Sequence, residues 1–303
     1  MEGENMMMNI LKPTMFRRVA IVGVGLMGGS LAMAIKKYQL AREVVGIANR
    51  QETLDKALQL KAIDEGFTDI AKGIVNADLV VLAAPVGSIV KILSSINPHL
   101  RRGCLMTDLG SAKSDIVEKA ESTLSVPGFF VGSHPLAGSE KNGVDYASAE
   151  LFENARCIMT PTAKTNQVAK EKIKHLWTKI GAKVEFLSPE EHDKILAYAS
   201  HLPHLLAYGL METIPQEFLG YALQGLKDST RIAASSPQMW NDVCMANSRN
   251  ILNALDELVK HLCALRKAVI NHDEKNLVHH FAKAKEKRDG LNQIRDAQTD
   301  HHH

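Results

Sequence analysis

Cysteine is scarce in this chain: Cys104, Cys157, Cys244 and Cys263 are spread over 303 positions with no paired spacing. That excludes a disulfide framework and a structural zinc site, and it fits a protein kept in a reducing cytoplasm. An excess of one charge is missing as well. The 36 Lys and Arg stand against 34 Asp and Glu, a formal net charge of +2, so the basic footprint of a nucleic-acid-binding protein is absent and any bound anion must be met by a local site. Aromatic residues make up only 5% beside 12 Met, which favours helices packed by aliphatic side chains over an all-β sandwich. No run is suited to a membrane span. The longest uncharged stretch, residues 19–35, is broken by four glycines, whereas a span needs about 20 apolar residues. Arg17 and Arg18 before it and Ala32-Met33-Ala34 near its end imitate a signal sequence, but cleavage there would delete the glycine turn at its centre.

What is present is a hydrophobic fraction of 45%, enough at this length for a large core and two domains. Strand-like runs over Arg18 to Gly23, Val44 to Ala48, Leu79 to Ala83, Cys104 to Asp108, Phe129 to Ser133 and Cys157 to Thr160 alternate with helical patterns over Met27 to Tyr38, Gln51 to Leu60, Gly87 to Ile96 and Ser114 to Leu124. This alternation is the mark of a parallel sheet with crossover helices. A helix over Asn166 to Ile180 and a strand over Lys183 to Leu187 close the series, after which apolar residues recur only at helical spacing. Ser188-Pro189-Glu190-Glu191 reads as a helix start with a capping box. The boundary is therefore expected near Leu187, with an α/β domain over 1–187 and an all-α domain over 188–303. The first all-α helix runs to about Ile214, and Pro203 within it should free the carbonyl of Ala199 and bend the helix. Further helices are expected over Phe218 to Leu226, Pro237 to Met245, Asn247 to Val269 and Glu274 to Leu291. Met1 to Pro13 reads as a frayed start, and His301, His302 and His303 as a tag remnant.

The first strand runs into Gly23-Val24-Gly25-Leu26-Met27-Gly28, and Leu26 onward continues as a helix. In this context the pattern is the fingerprint of a Rossmann-type dinucleotide-binding domain. Gly23 permits the turn, Gly25 admits a pyrophosphate to the backbone and Gly28 lets helix and strand pack closely. NAD-binding domains end their second strand in an acid that holds the ribose hydroxyls, but here the strand ends Ala48-Asn49-Arg50. A basic residue beside a missing acid suits the 2′-phosphate of NADP, which is therefore the expected cofactor; the alternative is that Arg50 is an ordinary exposed side chain and NAD is used.

Ligands of open α/β sheets bind at the carboxyl ends of strands, where Ser111 in DLGSAKS and His134 in GSHPLAGSE stand. Ser111 is either a helix N-cap or a ligand group; His134 is either a structural histidine or a proton acceptor. In SHLPH, His201 and His204 are three apart and share a helix face. A metal would need further ligands that only folding could supply, and none is expected. Asp193 lies eight residues before His201, about 12 Å along an ideal helix, so the two cannot touch and the acid must pair elsewhere. Arg231, in KDSTRIA, suits a substrate carboxylate, though a surface salt bridge is the commoner fate of a lone arginine.

GVGLMGGS, DLGSAKS, GSHPLAGSE, SHLPH and KDSTRIA, with Trp240 downstream, stand in the order found in the prephenate and arogenate dehydrogenases of tyrosine biosynthesis, which the chain resembles from about Arg18 to Leu291. The resemblance implies an extended Rossmann domain followed by an all-α dimerisation domain, hence a cytoplasmic homodimer acting on prephenate or arogenate. It implies that His134 takes the ring-hydroxyl proton while hydride leaves for the nicotinamide, that Ser111 helps hold hydroxyl and nicotinamide, and that Arg231 binds a substrate carboxylate. His204 and Ser139 would line the pocket, with His201, Glu140, Asp193, Asp228 and Trp240 in support. Leu26, Met27, Asn49 and Pro85 would join Gly23, Gly25, Gly28 and Arg50 around the cofactor. The departure from NAD-using members is Ala48, where they carry Asp. A β-hydroxyacid dehydrogenase shares the glycine fingerprint but usually relies on a lysine base, and a non-catalytic dinucleotide sensor would bind without turnover.

Overall fold

The structure, a computed structural model, describes residues 14–126, 129–138 and 141–299. The expectations for Met1 to Pro13, Ser139, Glu140 and His301 to His303 lie outside the described residues. Two compact units divide the chain at 250/251.

The first unit is built on one sheet of β1 (Phe16–Val22), β2 (Ala41–Ile47), β3 (Glu65–Phe67), β4 (Leu79–Leu82), β5 (Leu105–Asp108), β6 (Phe130–Pro135), β7 (Arg156–Thr160) and β8 (Lys183–Phe186). Their spatial order is β3-β2-β1-β4-β5-β6-β7-β8, and every neighbouring pair is parallel except β6 with β7. The three-residue β3 is too short to stand out as a run in the sequence. Successive strand side chains alternate between faces. Val19 and Ile21 join one core cluster, while Ala20 and Val22 join the other. Both faces are thus covered, which is why these strands read as continuous apolar runs.

Helices α1 (Leu26–Lys37), α2 (Gln51–Gln59) and α6 (Gln167–Lys179) supply Leu31, Leu54 and Trp177 to the first cluster. Helices α4 (Val86–Ile96) and α5 (Ser114–Thr123) supply Ile89 and Ile116 to the second; the short α3 (Ile70–Gly73) follows β3. The strand order reverses between β1 and β4. That switch point opens a crevice at the carboxyl ends of the strands.

After β8 the chain is helical. The capping box is formed: Ser188 Oγ accepts from the Glu191 amide and Glu191 Oε2 from the Ser188 amide, each at 3.1 Å, opening α7 (Pro189–Leu196). The bend expected from Pro203 takes the form of a π-helical turn over Ala197–His201, with Pro203 in the first turn of α8 (Leu202–Thr213). The single helix expected over Phe218 to Leu226 is instead a 3₁₀ turn, Gln216–Tyr221, and a separate α9 (Gln224–Thr230). A second 3₁₀ turn, Arg231–Ala234, leads to α10 (Pro237–Ala246). Two long helices, α11 (Ser248–Ile270) and α12 (Glu274–Thr299), complete the described chain. Among the described residues no helix is long and apolar enough to cross a membrane.

Candidate active site

The crevice at the switch point is a cleft of about 730 Å³ lined by Gly23, Gly25, Ala48, Asn49, Arg50 and Pro85, among others. Its floor is shaped by absent side chains. Gly23 has φ +100°, and a Cβ there would come within 2.3 Å of the Ala83 carbonyl oxygen. A Cβ on Gly28 would fall 1.9 Å from the carbonyl oxygen of Gly23, so the α1 to β1 approach requires glycine. A Cβ on Gly25 meets nothing within 4 Å, and Gly25 is the N-cap of α1 with extended backbone. A helix N-terminus with open space before it is an anion site, so these residues fit a dinucleotide pyrophosphate. Leu26 and Met27 begin α1 beside the cleft without lining it.

Further along the sheet edge, His134 stands near the end of β6 and is half-buried. Its Nδ1 lies 2.8 Å from Nε2 of His192, a buried residue of α7, and His192 Nδ1 lies 2.8 Å from Asp193 Oδ1. Proton positions follow from the end of this series. The carboxylate only accepts, so His192 donates from Nδ1, which leaves its Nε2 to accept from His134 Nδ1. His134 Nε2 is left with a lone pair and can take a proton from a ligand.

Electrostatics keep this series neutral at its open end. Burial first, then the charges of His192 and Lys113, hold the His134 pKa well below its ordinary value of 6.5. Burial also lowers His192, against the pull of Asp193. Burial pushes Asp193 up, but hydrogen bonds from His192, Ser114 and Lys113 outweigh it and hold the carboxyl below its usual range. Asp193 accepts the backbone N–H groups of Lys113 at 2.8 Å and Ser114 at 2.9 Å, so it caps α5. This settles where the acid pairs and excludes the N-cap role for Ser111, which stands in the loop between β5 and α5.

Under the series sits a fully buried ion pair. Lys113 Nζ contacts Asp108 Oδ2 and donates to the Ser133 carbonyl at 3.0 Å, while Asp108 also accepts the amides of Gly110 at 2.8 Å and Ser133 at 3.1 Å. Ser133 precedes His134 in β6, so the pair fixes the strand on which the imidazole is mounted.

Asn247 ties the next histidine to the same acid without direct contact: its Nδ2 donates to the Asp193 carbonyl at 2.7 Å and lies 3.2 Å from His201 Nδ1. Burial lowers His201 to a pKa of about 4. His201 meets Trp240 edge-on at 6.0 Å between centroids, and His204 stacks on Trp240 at 3.7 Å. Buried donors His201 Nε2 and Trp240 Nε1 have no acceptor on the described protein. Nδ1 of His204 donates to the Ser200 carbonyl at 2.9 Å, inside the π turn, which points its lone pair to Nε2. Arg231 is near enough that its charge lowers the His204 pKa, after burial. Asp228 is not brought to this group; it is exposed on α9 and accepts from Gln224 Nε2 at 2.7 Å.

His192, Lys113, Asp108 and Asn247 were not singled out from the sequence. The one available signal was His192 beside Asp193 immediately after the capping box, which places an imidazole and its acceptor together on a helix start.

Known proteins resemble the chain along most of its length. The family model described as prephenate dehydrogenase, nucleotide-binding domain, matches residues 31–186, and that described as prephenate dehydrogenase, dimerization domain, matches residues 188–283. Prephenate dehydrogenase of Bacillus subtilis is 38% identical over 291 residues, 94% of this chain and 77% of that protein. Cyclohexadienyl dehydrogenase of Zymomonas mobilis is 34% identical, covering 95% of this chain and 98% of that protein. A crystal structure of prephenate dehydrogenase from Aquifex aeolicus, in complex with hydroxyphenyl propionate and NAD+, superimposes with a TM-score of 0.84 at 35% identity over 91% of this chain and 98% of that one. These matches decide against a β-hydroxyacid dehydrogenase. The chain belongs to the prephenate dehydrogenase family.

Proposed function

We propose that this chain carries out the oxidative decarboxylation of prephenate to 4-hydroxyphenylpyruvate, that it accepts arogenate, giving tyrosine, as a second substrate, and that it uses NADP in preference to NAD. The observation that carries the reading is the His134, His192, Asp193 series with its open end at His134 Nε2. The bound dinucleotide supplies the hydride acceptor. As hydride leaves the carbinol carbon, His134 takes the hydroxyl proton at Nε2, and His192 and Asp193 stabilise the cation formed. The bond to the ring carboxylate breaks, CO2 departs, the electron pair passes through the now aromatic ring to its oxygen, and that oxygen regains the proton from His134, so the protein needs no further electron sink.

Arg231 binds a substrate carboxylate and His204, aligned on Trp240, lines the pocket. The unpaired donors of His201 and Trp240 favour a ligand acceptor close by. Ser111 holds the hydroxyl and the nicotinamide. Support for NADP is Ala48-Asn49-Arg50, where the chain after β2 brings Arg50 to the cleft and has no acid at the ribose position. Support for arogenate is the Zymomonas relative, whose name specifies the cyclohexadienyl ring rather than one side chain. The dimerization-domain match and the exposed apolar side chains of Leu252, Val259 and Leu262 on α11 and Phe281 on α12 support a homodimer. Four free cysteines suit a reducing cytoplasm.

Reduction of NADP and NAD should be followed by absorbance with prephenate and with arogenate, giving four pairings. Turnover in the pairing of prephenate with NADP should have the highest kcat/KM; a higher value with NAD ends the NADP reading, and no turnover despite cofactor binding favours a sensor. His134→Asn should lower kcat by about 10²- to 10⁴-fold at unchanged cofactor Kd. Arg231→Ala should raise KM far more than it lowers kcat.

A further inference from the structure

The cleft has a rim that the glycine fingerprint does not describe. Past Arg50, Glu52, Thr53 and Lys56 of α2 line it, and they meet Gly143, Val144 and Asp145 from the connection between β6 and β7. Lys56 Nζ lies 3.4 Å from Asp145 Oδ2 and 3.6 Å from Glu52 Oε1. The segment that carries Asp145 is seated by packing. Val144 is buried against α1, where a Cβ on Gly29 would come within 2.9 Å of Val144 Cγ2, and the Ser148 amide donates to Ser30 Oγ at 3.0 Å. Asp145 is therefore held at the rim by backbone placement rather than by its own ion pair.

Arg50 and Lys56 bring two positive charges to this rim, and Glu52 and Asp145 two negative ones. A phosphate ester adds about two negative charges to whatever it joins, whereas a hydroxyl adds none. Each rim carboxylate thus acts on the two kinds of cofactor unequally, by occupying the cation that a phosphate would use and a hydroxyl does not need. We propose that Asp145 and Lys56 are cofactor-specificity residues: Lys56 is a second cation for a 2′-phosphate, and Asp145 restrains it, so that the preference set by Arg50 is moderated. This rests on the reading of Arg50 as facing the 2′ position.

The test is calorimetric binding of AMP and of adenosine 2′,5′-bisphosphate to the whole chain, with the ratio of the two Kd values as the readout. Asp145→Asn should raise the preference for the bisphosphate about twofold to fivefold, and Lys56→Met should lower it by a similar factor. In the double variant the gain from Asp145→Asn should vanish, and in the single variants both shifts should shrink as salt is raised. An unchanged ratio in Asp145→Asn, or a gain that survives Lys56→Met, overturns the proposal. Arg50→Ala separates the two readings: if it leaves the ratio of the wild type unchanged, the role of Arg50 fails, while the Asp145 shift is still read against the wild type.

Discussion

The nucleotide cleft and the histidine series solve the same problem, placing charge beside a ligand, in opposite ways. The cleft does it with backbone: a missing Cβ at Gly23, Gly25 and Gly28 and the amides at the start of α1. The series does it with side chains drawn from β5, β6, the start of α5 and α7, all of whose charges are paired away from water. A backbone site is robust to its surroundings but sensitive to one added methyl group. A buried side-chain site depends on each partner, because removing one leaves the other charged and alone.

That difference can be tested most forcefully at Lys113. Lys113→Met leaves the Asp108 carboxylate fully buried with only the Gly110 and Ser133 amides as donors. Denaturant unfolding should show a loss of about 3–5 kcal/mol. A loss no larger than that of an exposed pair, such as Lys285 with Asp289 broken by Lys285→Met, would mean that the buried pair does not support the site.

His201 tests the series by pH. Its folded pKa is about 4, against 6.5 in an unfolded chain, so the unfolded state binds the proton first as pH falls. The stability it contributes is intact above pH 6.5, declines between 6.5 and about 4, and is then lost. This amounts to about 3 kcal/mol. His134, His192 and His204 are lowered too and add to the same slope. His201→Gln should flatten the slope of unfolding free energy against pH in that window; an unchanged slope would show that the imidazole is not kept neutral by burial.

The two regions also differ in how far they could be read from residues alone. The glycine turn is contiguous, so strand, turn and helix announce each other within a dozen positions, and the lack of an acid at Ala48 is visible at once. The histidine series spans positions 108 to 247. His134 and His201 were recognisable from their motifs, but Lys113 was not, because a lysine ordinarily signals surface and nothing local shows that Asp108 is waiting in the core. Asn247 carries no spacing signal, since only packing brings it to Asp193, and His192 offers only its place beside Asp193 after the capping box. The helix expected over Phe218 to Leu226 fails for a related reason: its apolar periodicity runs on through Ala222 and Leu223, where the backbone leaves the 3₁₀ turn before α9 begins.

For the cleft, two glycines should separate. Gly25→Ala adds a methyl group to open space on extended backbone, so stability should hold while Kd for NAD or NADP rises about tenfold or more. Gly28→Ala drives a methyl group into the Gly23 carbonyl and should lower Tm as well. Equal effects of the two on Tm would erase the distinction between a ligand-facing and a packing glycine.

The smallest effect is expected where the side-chain site borders on backbone placement again. Tyr208, one turn after His204 on α8, donates its hydroxyl to the Ser235 carbonyl at 2.8 Å. Ser235 closes the 3₁₀ turn that begins with Arg231, so the bond ties that turn to the helix that carries His204. On the proposed role of Arg231, Tyr208 is a positioning residue. Tyr208→Phe keeps the ring packing and removes the bond, which should raise KM for prephenate about threefold to tenfold while kcat and the KM for cofactor stay close to wild type. A fall in kcat with unchanged KM would place the tyrosine with the proton-transfer series instead of with the carboxylate clamp.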